Sequence, residues 1–219
     1  PDGTCISDTD CPIAKRCLSG VCADRPLPYD AGLCYQCLAA CDCRQGAVCD
    51  SSGYCKADDL DFGDGSTRAL EPRRFVQSGA TGTGASPSSP AGSLSTALAA
   101  ASAGDLIAMR AGDSHSISAP LAINSSRVAI AGGYRTCAPN RWVRDPGQRA
   151  TVSSATGGVF TLTGTVLSPI ESVALLNLDL FSTDSTCTNR FVVDARLAPM
   201  LRLGGIRMSL AFGCGSPFE

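Results

Sequence analysis

The chain has 219 residues, a formal net charge of −2, and only 17% charged and 5% aromatic residues. That length holds one large domain, or one medium domain with a small companion. No run of 18 apolar residues occurs, which excludes a transmembrane helix, and the dispersed bases without clustered aromatics argue against a nucleic-acid surface.

Charge is uneven along the chain. Residues 1–64 carry 11 acids and 5 bases, a balance of −6, and residues 65–219 carry 9 acids and 13 bases, a balance of +4. An acidic head and a basic body suit head-to-body contact between copies, and suit equally an ordinary solvated surface.

Ten of the 13 cysteines lie at or before Cys55. Cys5, Cys11, Cys17 and Cys22 are echoed by Cys37, Cys43, Cys49 and Cys55 at nearly the same spacing, with Asp10 and Asp42 before the second cysteine of each set. This is an internal repeat. A segment this short, poor in large apolar residues, needs covalent staples. Disulfides persist in oxidising compartments, so the expected location is the cell surface, the periplasm or the medium. No signal peptide is visible at Pro1, so a mature or trimmed chain is expected, and an upstream lipid anchor is compatible.

In a disulfide reading, each repeat closes two bridges and Cys34 pairs with Cys41, which uses all ten; four cysteines allow three connectivities, and spacing does not choose. The competing reading gives Cys34, Cys37, Cys41 and Cys43 to zinc or an iron–sulfur cluster. Zinc sites usually draw on two separated knuckles, and only one is present, so the disulfide lattice is expected and no cofactor. The opening C-x-x-D-x-D-C-P of the first repeat resembles small secreted knots of the whey-acidic-protein and dickkopf types. That resemblance implies first-to-third and second-to-fourth pairing: Cys5–Cys17 and Cys11–Cys22, then Cys37–Cys49 and Cys43–Cys55.

Residues 57–72 read as an acidic linker. Asp58, Asp59, Asp61 and Asp64 alternate around turn-forming glycines, which makes Asp59, Asp61 and Asp64 calcium candidates. The register does not fit an EF-hand, and a solvated linker is the plainer reading.

From Arg73 the texture changes. RRFVQ reads as a strand, and a Gly/Ser/Pro loop follows. Ser93–Ala103 then reads as a short helix with Ser93 as N-cap, Leu94, Ala97, Leu98 and Ala101 on one face, and Gly104 past its end. Short strands fill the remainder. Apolar segments return just over twenty residues apart, as from Ile107 to Ile130 and from Ile130 to Val152. That period indicates stacked coils of parallel strands, with the helix shielding the first coil's edge. The expected organisation is all-β: a stapled module over 1–56, the linker over 57–72 and the stacked body over 73–219.

SLSTALAAASAGDLIAMRAGD and the later LAINSSRVAIAGGYRT resemble the opening of pectin-lyase-like right-handed parallel β-helix proteins: an amphipathic helix, Gly104-Asp105, an apolar strand, a turn at Ala111-Gly112, and a strand ending Gly132-Gly133-Tyr134. A cysteine-rich head on such a body is similar to predicted surface proteins and lipoproteins of myxobacteria. The resemblance implies a right-handed parallel β-helix with a capping helix. It also raises polysaccharide lyase or hydrolase chemistry, which needs clustered carboxylates. The acids of the body are scattered, and the group to watch is Asp194 with Arg196 and Arg202. Asp105 is expected to fix the turn after the helix, and His115 in GDSHS to lie in an exposed loop. Tyr134 and Trp142 offer a glycan-stacking platform or, more plainly, pin the loop after Tyr134. Cys187 and Cys214, one coil apart, are the expected pair, leaving Cys137 free or bonded to another chain.

The functional expectation is a non-catalytic secreted or cell-surface structural or adhesion protein. Its partners would be further copies of itself or other surface proteins, and its sharper form a self-assembling filament subunit. The alternative is a carbohydrate-binding or carbohydrate-active protein, with polysaccharide as the ligand.

Overall fold

In the computed structural model, residues 15–18, 21–24, 35–37, 39–43, 47–49, 54–61, 67–69, 71–137, 140–162, 172–183, 192–195 and 201–209 are described. The chain divides into two compact units, 1–35 and 36–219. The boundary expected after residue 56 therefore falls earlier: the first cysteine repeat stands in one unit, and the second belongs to the same unit as the body.

In the first unit, β1 (Lys15–Leu18) and β2 (Val21–Asp24) form an antiparallel hairpin that sets Cys17 opposite Cys22. β3 (Tyr35–Gln36) lies at the division. In the second unit, a 3-10 turn over Ala40–Asp42 precedes the antiparallel hairpin of β4 (Ala47–Cys49) and β5 (Tyr54–Ala57). The expected linker is in part a second hairpin, β6 (Asp59–Asp61) with β7 (Thr67–Ala69).

The rest is mostly strand, arranged in parallel sheets. After β8 (Arg74–Val76) come the helix α1 (Leu94–Ala99), then β9 (Leu106–Arg110), β10 (Ser114–Ile117), β11 (Leu121–Ile123), β12 (Val128–Cys137) and β13 (Arg141–Arg144). They continue with β14 (Ala150–Ser154), β15 (Phe160–Leu162), β16 (Val173–Leu176), β17 (Leu178–Ser182), β18 (Val193–Asp194), β19 (Leu201–Gly204) and β20 (Arg207–Ser209). A first sheet runs β8-β9-β12-β16-β19, a second β10-β14-β17-β20 and a third β11-β15-β18. From β9 to β20 the described strands visit first, second and third sheets in that order, so each lies beside the strand of the previous round; β8 reaches β9 through the loop and α1 instead. Such a parallel neighbour can be reached only by a crossover, which the other two sheets supply.

The turn lengths differ. Ile107 sits opposite Ile130, 23 residues on, as the spacing suggested. Ile130 then sits opposite Leu175 rather than Val152, which belongs to the second sheet. The long turn contains the excursion of β12 into β13, an antiparallel hairpin on the outer face of the first sheet.

Side chains alternate along each strand, and inward positions stack into ladders. Ile107, Ile130 and Leu175 form one in the first sheet, Val152 and Leu180 lie in the second, and Phe160 and Val193 in the third; all are fully buried. Successive rungs meet because strand neighbours lie about 4.8 Å apart. α1 lies over the first-coil end of this core. Ser93 caps it, its Oγ accepting the Thr96 N–H at 3.2 Å, and Leu94 and Ala97 are buried. The helix is shorter than expected, ending at Ala99, with Leu98 and Ala101 half-buried against the core. The exposed side of β8 is closed by the loop after it: Phe75 N–H donates to Gly84 O, and Ala91 N–H to Phe75 O.

Candidate functional site

Two places in the second unit concentrate polar groups and aromatic rings. One is a clasp on the outer face of the first sheet, and the other a groove beside α1.

The clasp begins with small residues. Outward positions of the first sheet include Ala108, Ala129, Ala131 and Ala174, which leave room for a covering layer between Phe75, Leu106 and Leu176. The β12–β13 hairpin fills it. Trp142 is fully buried, edge-on to Phe75 with ring centroids 5.4 Å apart, and Tyr134 lies 6.5 Å from it. Gly132 and Gly133 permit this return. A Cβ at Gly132 would stand 2.1 Å from Asn177 O, and Gly133 has φ +80 with Gln148 O 2.6 Å from where its Cβ would be. Tyr134 and Trp142 therefore pin the hairpin; as a glycan platform they are ruled out, because both rings are sealed from solvent.

The second cysteine repeat packs on the other side of the hairpin. Cys37, Ala40, Cys43 and Ala47 meet Cys137 and Val143 in one buried cluster. Cys37–Cys49 and Cys43–Cys55 are disulfides. A further disulfide among the described residues joins Cys41 to Cys137, across a sequence separation of 96. This corrects two expectations: Cys41 does not pair with Cys34, and Cys137 is neither free nor available to another chain. The hairpin carries Cys137 across to the 3-10 turn, with a Cα separation from Cys41 of 5.5 Å, within disulfide reach. Arg141 strengthens the seam by donating to Cys43 O at 3.1 Å and Cys41 O at 3.2 Å. The sulfurs of Cys37, Cys43 and Cys49 lie within 4.8 Å of one another, but as halves of adjacent disulfides rather than as thiolates. Cys37, Cys41 and Cys43, three of the four residues considered for a metal, are thus divided among three bridges. Cys5, Cys11, Cys34, Cys187 and Cys214 lie outside the described residues, as do the side chains of Cys17 and Cys22.

An ion pair completes the clasp. Asp58 is buried and receives two hydrogen bonds from Arg144, one from Nε at 2.6 Å and one from Nη2. Arg144 Nη1 donates to Asn177 Oδ1 at 2.7 Å, and Asn177 Nδ2 donates to Pro146 O and Gln148 O. Asn177 has φ 50, a left-handed conformation that Asn tolerates better than most residues, at the corner between β16 and β17. Burial works against the charged Arg144 guanidinium, but the Asp58 hydrogen bond and charge outweigh it and hold its pKa above the ordinary value. Burial first, then the Asp58 charge, raise the Tyr134 hydroxyl, with Arg144 opposing. Asp58, Arg144 and Asn177 carried no recognisable motif; only Asp58's place in an acidic run drew notice. Of the calcium candidates, Asp59 and Asp61 lie on β6, and Asp64 lies outside the described residues.

Four carboxylates among the described residues of the body each lie near an arginine of their own. Asp105 lies 3.4 Å from Arg74, Asp113 3.9 Å from Arg110, Asp145 3.0 Å from Arg135 and Asp179 3.6 Å from Arg149. Asp105 also accepts the Ser102 N–H, fixing the turn after α1. Asp194 is in the third sheet and Arg202 in the first, and Arg196 lies outside the described residues.

The groove has a volume of about 410 Å³ and runs between the segment Gly92–Ser95 and the stretch Ser114–Leu121. His115 lines it. The residue is 6% exposed, in β10 rather than in an open loop, and shares its ladder with Val152 and Leu180. Strand alternation turns its side chain inward and the flanking Ser114 and Ser116 outward.

With these sites in view, the chain was compared with protein-family models, curated proteins and solved structures. None matches.

Proposed function

We propose that this is a non-catalytic extracellular structural or adhesion protein. In this reading the body is a right-handed parallel β-helix, and the second cysteine repeat is clamped to its side. The hand follows the preference of parallel crossovers, which are right-handed in almost all proteins. Three disulfides among the described residues favour an oxidising location.

The observation that carries the reading is the distribution of carboxylates. Glycoside hydrolysis requires two of them facing one bond, roughly 5–10 Å apart. Here Asp105, Asp113, Asp145 and Asp179 each lie beside their own arginine, and Asp58 is sealed inside the clasp. These charges serve corners and seams. Tyr134 and Trp142, the pair that would stack a sugar, are spent in the same way. The filament form has less support than the scaffold form, since Cys137 is committed to Cys41 and α1 covers the first-coil end.

The test is incubation of the native protein with neutral and acidic polysaccharides, followed by sizing of the glycan and of the protein particles. Intact glycan chains and discrete particles are expected. Glycan shortening that an Asp194→Asn variant abolishes would overturn the reading.

A further inference from the structure

His115 is the chain's one histidine, and it occupies an interior rung that Val152 and Leu180 fill with aliphatic carbon on the next turns. Its Nε2 is buried without a hydrogen-bond partner. Beside it the groove separates β10 from the start of α1, with Leu94 on one wall and Ile117 and Leu121 on the other. The first-coil end of the core thus rests on a neutral imidazole, one side of which opens onto a channel large enough for water.

No charge from the elements around it is placed to hold an imidazolium. α1, the loop 78–92, β11 and β14 contain no titratable side chain. The carboxylate that acts on it is Asp113, already engaged by the Ser78 N–H at 2.7 Å and lying 3.9 Å from Arg110. Arg149, just before β14, is turned to Asp179 and to Gly205 O.

We propose that the first-coil end is an acid-operated cap, in which protonation of His115 draws water into the groove and releases α1 from the core while later coils stay folded. α1 is the part that yields. It has six residues, too few to be stable without its packing, whereas β16 is paired on both sides. Burial lowers the His115 pKa, and Asp113 opposes this in part. A lowered folded value leaves stability untouched above the unfolded value of about 6.5. Stability is lost as pH falls from there to the folded pKa. Opening exposes Leu94, Ala97 and Leu98 on one helix face.

A single histidine gives a single imidazole resonance, so its titration is read directly by NMR, alongside amide exchange corrected for intrinsic pH dependence. The imidazole is expected to titrate below 6.5. Protection over Leu94–Ala99 should fall roughly tenfold for each unit of depression, the fall running from about pH 6.5 down to the folded pKa and levelling off below it, with Val173–Leu176 unchanged. His115→Gln should keep α1 protected at pH 5. An ordinary imidazole pKa, α1 protection that ignores the titration, or equal loss across β16 would each overturn the proposal. The wild-type titration decides even if the variant does not fold.

Discussion

Replacing Asp58 by Asn tests how tightly the clasp is sealed. The Asp58 side chain is 4% exposed and that of Arg144 13%. The substitution keeps the shape but removes the charge, leaving a buried guanidinium with neutral amide acceptors, Asn177 Oδ1 among them, and no carboxylate. Stranding one member of a buried pair costs about 3–5 kcal/mol, whereas replacing both by apolar residues of similar volume is often neutral. Asp58→Asn should therefore lower unfolding free energy by about 3–5 kcal/mol, and Asp58→Leu with Arg144→Met should recover most of that loss. Trp142, the only tryptophan, is fully buried beside this network and reports its opening by fluorescence in a urea titration. A loss below about 1 kcal/mol, the range of a surface pair, would mean that water reaches Arg144. The clasp would then be a loose surface contact, and the reasoning would fail.

Removing the long disulfide with Cys41→Ala and Cys137→Ala should cost about 4–5 kcal/mol by loop entropy alone, read as a lower urea midpoint in oxidising buffer; an unchanged midpoint would mean that the remaining contacts already restrain the chain. Trp142→Ala should cost about 3–5 kcal/mol and leave glycan binding, scored on an array, unchanged. Gly132→Ala forces a Cβ against Asn177 O and Ala150 N and should cost about 3 kcal/mol or more, checked by thermal melting.

The sequence made the strand-rich body and its short helix legible because their signal is local. Alternating apolar residues and the N-cap at Ser93 depend on neighbours a few residues away. Period was less secure. Ile130 and Val152 are 22 residues apart, yet they lie in different sheets, because the β12–β13 excursion consumes most of that interval. His115 was hidden by its serines, which read as a turn although alternation puts the imidazole inside. The clasp was least legible. Cys41–Cys137 and Asp58–Arg144 join residues 96 and 86 positions apart, and only the folded hairpin brings them together. Cys137 was singled out as odd, but sequence spacing cannot show which distant cysteine the fold delivers to it. The fate of Trp142 followed from the alanines of the first sheet, whose meaning appears only once the strands are stacked.

The account rests on the second cysteine repeat being part of the body. Mass-spectrometric mapping of disulfides in native, non-reduced protein tests this most directly. A cross-linked peptide joining Cys41 to Cys137 within one chain is predicted, alongside Cys37–Cys49 and Cys43–Cys55. A Cys34–Cys41 peptide, or Cys137 found alkylated or bonded between chains, would contradict it.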